Sequence, residues 1–482
     1  MSTSNVNVFR AFKATIDQLQ AMHAAVSLRP RDISMRAAFE GDYDFLFDPD
    51  RLAEVIAAAV AQCRRFGVSA VLEQHAPFKR RICFICDDPE RRIQIELWPH
   101  AELSLSDGPM GSLAAIPWKS ARPFFVTSDR YLALRPPLAA AIYITHLHHK
   151  QKSLSSPEVQ RRLAYYEDAL SRPDAGSDEG LLGTIQALRA GASDLKSANM
   201  QACSALLRMG AQVQILRMAP LVQRAQRHLT RAVAGKDGIA FSPVPILGPD
   251  GSGKTALIGA LADRGRFRTL KFKNVFRRSL IYRGSLSVKA RNANASHMAR
   301  NRIDESMAQA ILTIALLRWW PLVIPRMVRQ YFHNGTATVV DRYFWDYLVK
   351  VRGAEARPSP IARHRLFSRL VPTPHKVVVL CCGLETLYAR KQELSAAAID
   401  CLYDLYCDQI ARKRVKHVLM LSTDGSFDRS YSQIAWFLLP DGAPEPRPSS
   451  ARNRGRSGRK AKAARWAATP QAGLDEATRR PV

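Results

Sequence analysis

The sequence predicts an α/β protein in which a C-terminal parallel sheet flanked by helices follows a smaller α+β region and a helical connector. Three observations predict it. An apolar run, Ile239 to Leu247, leads into the glycine-rich turn Gly248-Pro249-Asp250-Gly251-Ser252-Gly253-Lys254-Thr255, after which a helical pattern runs from Lys254 to about Ala262. Strand-like runs then recur at Ala337 to Val340, Val377 to Cys382 and Val418 to Ser422, separated by helical segments long enough to cross over a sheet. Ahead of the connector, Arg92 to Trp98 alternates apolar with polar residues, as a half-buried strand does.

At 482 residues the chain is too long for one ordinary core. Its 47% apolar and 23% charged residues allow folded cores with a water-facing surface. We divide it into an α+β region at 1–150, a helical connector at 151–236, the parallel-sheet domain at 237–441 and a basic tail at 442–482. In the first region Phe39 to Phe47 reads as a strand, and Arg51 to Phe66 places Leu52, Val55, Ile56, Ala59, Val60 and Cys63 at helical spacing. Cys83 and Cys86 form a CxxC inside a strand-like run, with no second pair at zinc spacing, so they read as buried thiols. His146, His148 and His149 read as a helix face rather than as metal ligands. The connector is helical, broken by the Pro, Gly and Asp cluster from Ser171 to Glu179. Pro243 and Pro245 weaken the first strand of the next domain as a central one, because proline cannot donate to the ladder.

The turn fits the spacing GxxxxGK[ST], which sets a glycine-rich loop between a buried strand and a helix N-terminus. Backbone N–H groups and the helix dipole then converge on phosphate oxygens. Gly248 and Gly253 allow the turn, Lys254 is expected to reach the β and γ phosphates, and Thr255 to offer its hydroxyl to Mg2+. The run Thr338-Val339-Val340-Asp341-Arg342-Tyr343 ends an apolar strand in a carboxylate. From there Asp341 could hold Mg2+ through water and Arg342 could grip a phosphate.

Together with the later basic segment Tyr388-Ala389-Arg390-Lys391-Gln392-Glu393-Leu394, these motifs make the stretch from about Gly238 to Pro440 resemble the thymidylate kinase family of P-loop NTPases, above all its divergent bacterial members. The resemblance implies a kinase that uses ATP and Mg2+. It implies that Asp250 points toward the acceptor, that Arg342 holds the acceptor phosphate, and that Arg390 and Lys391 sit on a mobile lid over ATP. Catalytic roles thus fall to Lys254, Asp341, Arg342 and Arg390, nucleotide binding to Gly248 through Thr255, and the metal to Thr255 and Asp341. Thr423-Asp424-Gly425-Ser426 resembles the family's loop near the adenine.

In the N-terminal region, Asp42 and Asp44 flank Tyr43 in a strand and so share a face, and Glu96 could add a third carboxylate from a neighbouring strand. A carboxylate triad is what two-metal nucleotidyl transfer needs. The region resembles the nucleotidyltransferase superfamily, which leaves two readings of Asp42, Asp44 and Glu96: a catalytic site, or, as preferred here, a degenerate or binding-only version that selects or holds the acceptor.

Charge adds possible partners. The net charge of +29 is concentrated in the tail and in the segment from Arg264 to Arg291. Such segments suit an acceptor phosphate, or weak contact with a polyanion or membrane surface. Arg318 and Pro321 interrupt the most membrane-like stretch, Ala310 to Val328, which favours a buried or amphipathic helix. Met1 to Arg10 holds no apolar signal core, and the cysteines follow no disulfide framework, so a reducing cytoplasm is expected. The sequence leaves the acceptor open among a nucleoside monophosphate, a phosphorylated sugar and a lipid-linked glycan. Two other readings stand beside the kinase: a nucleotide-binding regulatory or adaptor protein, and a nucleic-acid-associated ATPase.

Overall fold

In the computed structural model a single 12-stranded mixed sheet joins the N-terminal region to the strands around the glycine-rich turn. The structure describes residues 3–28, 38–39, 42–75, 79–86, 92–104, 113–128, 131–172, 178–212, 214–215, 243–264, 267–271, 338–347, 349–352, 355–358, 371, 373–391 and 394–439. The basic stretch from Arg277 to Arg302, the apolar stretch Ala310 to Val328 and the tail from Gly442 lie outside the described residues. Met1–Asp441 forms one compact unit. Among the described residues no helix is long and apolar enough to cross a membrane.

The N-terminal part runs α1 (Thr3–Ala21), β1 (Ala25–Ser27), β2 (Asp42–Phe47), α2 (Leu52–Phe66), β3 (Ser69–Gln74), β4 (Arg80–Ile85), β5 (Arg92–Trp98), β6 (His100–Ser104), β7 (Leu113–Pro117), β8 (Phe125–Ser128), β9 (Tyr131–Leu134) and α3 (Pro136–His149). Helix α2 begins one residue after the predicted start. It ends at Gly67, whose left-handed φ of 64° suits a residue without a Cβ. The histidines do lie on one helix, α3, although not on one face: His148 is buried and His149 exposed. Helices α4 (Pro157–Leu170), α5 (Glu179–Arg189) and α6 (Leu195–Arg208) follow, with Asp178 and Asp194 capping the last two by accepting backbone N–H groups. Together with α3 they bury Tyr143, Leu163, Tyr166, Ile185 and Leu206 in a second core, which Val26 of β1, Leu46 of β2, Ile116 of β7 and Leu134 of β9 share. The two-residue strand β10 (Gln214–Ile215) pairs with β7.

The C-terminal part contains β11 (Val244–Leu247), α7 (Lys254–Asp263), β12 (Arg268–Lys271), β13 (Thr338–Asp341), the paired β14 (Val349–Arg352) and β15 (Glu355–Pro358), β16 (Lys376–Cys381), α8 (Leu384–Arg390), α9 (Ala396–Arg412), β17 (His417–Ser422) and α10 (Phe427–Leu438). Five of its strands run parallel in the order β12-β13-β11-β16-β17. Strand β11 is central, against the expectation from Pro243 and Pro245. The strand starts after Pro243, and its ladder to β16 starts at Ile246, after Pro245.

These strands read as unbroken apolar runs because both faces are covered. Val377, Val379, Val418 and Met420 face the core beneath α2 and α9, whereas Val378, Leu380, Leu419 and Leu421 face the core beneath α7 and α10. The first core does not stop at the domain boundary drawn from sequence. Phe12 and Ile16 of α1, Val55 and Ile56 of α2, and Ile82 and Phe84 of β4 share it with Tyr343, Trp345 and Tyr406. The join is backbone as well as side chain. Strand β3 pairs antiparallel with β17, from His417↔Glu73 to Met420↔Ala70. Ser69 Oγ accepts from Ser422 N (2.9 Å) and donates to Gln433 Oε1 (2.8 Å).

Candidate active site

The connections from β11 lead toward β12 and β13, while that from β16 leads the other way toward β17, so the winding diverges beside β11. In an open parallel sheet such a point leaves a crevice outside the carboxyl ends of the strands. The loops at that edge carry Gly248 after β11, Asp341 and Arg342 at the end of β13, Cys382 and Gly383 after β16, and Thr423 and Asp424 after β17.

The glycine-rich turn is tight. Gly248 has φ 151°, and a Cβ on it would fall 2.8 Å from Ser252 Oγ and 3.1 Å from Leu380 Cβ. Gly251, at φ 89°, lies against Lys391, whose Cβ would sit 3.3 Å from an added Cβ. The Ser252 hydroxyl is fully buried and has no hydrogen-bond partner among the described residues. Helix α7 begins at Lys254, so its first N–H groups open toward the same loop.

Lys254 is buried to 7% exposure and turns back on its own loop, donating to Gly248 O and, at 2.7 Å, to Pro249 O. Burial lowers its pKa, and the charges of Asp346 and Asp250 oppose that shift. Asp250 Oδ1 lies 3.7 Å from Lys254 Nζ and accepts from Arg342 Nη2 at 2.9 Å. Arg342 holds φ 70°, a left-handed conformation uncommon in a non-glycine residue. Asp341 is half-buried, in register with Ile246 of β11, and Thr255 is exposed in the first turn of α7.

Arg390, the last residue of α8, donates to Thr423 O at 2.8 Å, and its Nη1 stands 3.9 Å from the place a Cβ would take on Gly253. The segment Tyr388 to Lys391 thus flanks the glycine-rich turn, while Gln392 and Glu393 lie outside the described residues. Asp424 fixes the start of α8. It accepts from Gly383 N at 3.0 and 3.1 Å and from Cys382 Sγ at 3.2 Å. The N-terminal part reaches the same loops through Arg64, whose Nε donates to Cys382 O at 3.4 Å and which also docks on α9, pairing with Asp400 at 2.7 Å and lying 4.3 Å over the Tyr403 ring.

Sequence reasoning missed Asp346. It sits on the short 3-10 turn Phe344–Tyr347 and accepts from Tyr343 N and from Tyr406 Oη, each at 2.7 Å. Desolvation raises its pKa, while the Lys254 charge and the Tyr406 hydrogen bond pull it down. The spacing from Asp341 to Asp346 is visible in the sequence. Its partner Tyr406, far along the chain on α9, is not.

The N-terminal carboxylates are arranged differently. Asp44 and Glu96 are register partners on the parallel strands β2 and β5, so they stand side by side as expected. Each is engaged by a different neighbour. Gln94 Nε2 donates to Asp42, Trp98 Nε1 donates to Asp44 at 3.1 Å, and Lys79 forms an ion pair with Glu96. Burial raises the Glu96 pKa, Lys79 opposes the rise and Asp44 adds to it. Among the described residues no three carboxylate, histidine or cysteine side chains converge as a metal site requires. Cys83 lies on β4 with its thiol pushed up to about 12 by burial, which makes it a poor nucleophile or ligand.

No family model matches the chain, and no curated protein matches its sequence.

Proposed function

We propose that this protein is an ATP-dependent phosphotransferase that transfers the γ-phosphoryl group of ATP to a phosphorylated small molecule or glycan, with an N-terminal nucleotidyltransferase-like region that holds the acceptor without doing nucleotidyl transfer. The observation that carries the reading is one convergence. A GxxxxGK[ST] loop stands where the sheet winding diverges, with Lys254, Arg342, Arg390 and Lys391 gathered around it.

The residues fit ATP with Mg2+. Positive-φ glycines leave the loop backbone open, the buried Ser252 hydroxyl has an unused hydrogen-bonding capacity, and a desolvated lysine lies at a helix N-terminus. The nucleotide would supply the transferable phosphoryl group, with Thr255 and Asp341 holding the metal. Lys254 would exchange the carbonyls of Gly248 and Pro249 for phosphate oxygens. Arg342 and Arg390 would offset charge on the transferring group, since positioning and electrostatics supply most of the rate in such chemistry.

The test is a screen of nucleoside monophosphates and sugar phosphates for acceptor-dependent ADP release, run beside Lys254→Ala. One acceptor class should stimulate release in the wild type and not in the variant. ATP turnover indifferent to every acceptor would return the protein to the adaptor reading, and unchanged turnover in folded Lys254→Ala would remove the glycine-rich loop from the function.

A further inference from the structure

Helix α2 is capped by Gly67 and β3 begins at Ser69, so the chain turns sharply from one to the other. That turn lies against two loops at the carboxyl edge of the parallel strands. In the loop after β16, Cys382 O accepts from Arg64 Nε at 3.4 Å, and a Cβ on Gly383 would fall 3.6 Å from Arg64 O. In the loop after β17, Asp424 Cβ stands 3.8 Å from the place a Cβ would take on Gly67, and Ser69 Oγ accepts from Ser422 N. The two loops are also tied to each other. Asp424 accepts from Gly383 N, and Arg390 donates to Thr423 O and, at 3.8 Å, to Cys382 Sγ. Helix α8 starts from the first of these loops, and its end packs on the glycine-rich turn: a Cβ on Gly251 would meet Lys391 Cβ at 3.3 Å and Leu387 O at 3.5 Å.

Joining the two parts of the sheet needs no charge, because the ladder of β3 with β17 and the Ser69 hydroxyl already do it. The ion pair with Asp400, a side chain 58% exposed, contributes little by itself. What Arg64 adds is a rigid fork on a side chain only 12% exposed. One N–H meets Cys382 O, another meets Asp400, and the guanidinium carbon stands 4.3 Å from the centre of the Tyr403 ring. Tyr403 in turn donates to Leu380 O at 2.7 Å. One guanidinium thus holds together the loop after β16 and helix α9. It touches the peptide beside Gly383, from which α8 runs to Arg390, and so can set where Arg390 stands without itself reaching a nucleotide.

We propose that Arg64 is a positioning residue of the nucleotide site: it holds the loop after β16, and through it the place of Arg390 beside the glycine-rich turn, so that the N-terminal part completes the site. The inference rests on the phosphotransferase reading. Calorimetric titration of the full chain with the nonhydrolysable analogue AMP-PNP and Mg2+ tests it. Arg64→Ala should weaken binding by about tenfold. Arg64→Lys keeps the charge but lacks the fork, and should weaken it by about fivefold. Thermal melting checks that each variant is folded, and the lysine variant carries the test if Arg64→Ala does not fold. Arg390→Ala should itself weaken binding, and adding either Arg64 change to it should cost less than about twofold more, because Arg64 acts through Arg390. Wild-type affinity in a folded Arg64→Ala, full restoration by Arg64→Lys, or additive losses in the double variant would each overturn the proposal and leave the phosphotransferase reading in place. A wild-type chain that binds no AMP-PNP would remove that reading, and this inference with it.

Discussion

The two ends of the sheet use charge in opposite ways. At the carboxyl edge of the parallel strands, Lys254 and Arg342 pair with groups of their own site: two loop carbonyls and Asp250. In the N-terminal part, Asp42, Asp44 and Glu96 are met by Gln94, Trp98 and Lys79, drawn from β5 and the segment before β4. On the phosphotransferase reading, the first arrangement would be exchanged for a ligand by moving two flexible side chains, Lys254 and Arg342. The second has a lysine pairing with one of the carboxylates that two metal ions would require. A row of carboxylates on a strand is therefore weak grounds for catalysis until what stands beside it is known.

The largest effect should separate the two ends. Lys254→Ala and Asp341→Asn are each expected to lower phosphoryl transfer by about a hundredfold or more, read as ADP release by folded protein. The double change Asp42→Asn with Asp44→Asn should leave acceptor-independent ATP turnover within a few-fold of wild type. If the double mutant instead lost a separate nucleotide-transfer activity, the N-terminal carboxylates would be catalytic and the contrast would collapse.

A smaller effect sharpens the role of the aspartate behind the lysine. Asp346→Asn keeps an acceptor for Tyr406 and removes a charge that opposes the lowering of the Lys254 pKa. Transfer should fall by about tenfold, and the alkaline limb of the rate profile should move to lower pH. Stability gives a second readout. A raised Asp346 pKa means the native state holds this proton more tightly than the unfolded chain does. The stability tied to it is full below the ordinary aspartate range and is lost as pH rises through the raised value. Asp346→Asn should flatten that part of the denaturation profile, and an alkaline limb that stays in place would separate Asp346 from Lys254.

The join between the two ends can be tested by a still smaller change. Ser69→Ala leaves the buried N–H of Ser422 without its side-chain acceptor, for an expected loss of about 1–3 kcal/mol in urea unfolding. Because one core spans both parts, unfolding should remain a single transition. Two resolved transitions would show the parts to be independent folding units. The smallest effect belongs to the tail. Removing everything after Asp441 should leave ATP turnover unchanged and reduce affinity for polyanions and its salt dependence.

The sequence by itself determined the strand, turn and helix from Val244 to Asp263, and the strands ending at Asp341, Cys381 and Ser422. Each depends on local physics: an apolar run buried on both faces, glycines where φ must be positive, a helix N-terminus after them. It also determined that Asp44 and Glu96 could be neighbours, since strand periodicity fixes the face of each. Only the tertiary structure decided what stands next to these groups. The pairing of β3 with β17, the reach of Tyr406 to Asp346, the docking of Arg64 against α9 and the ion pair of Lys79 with Glu96 all join residues from separate elements. Their order in the chain carries no periodic or local signal. Contacts between elements come from how apolar faces pack, and many sequences satisfy the same packing, so the neighbours that set the charge and reach of a site emerge only once the layers are assembled.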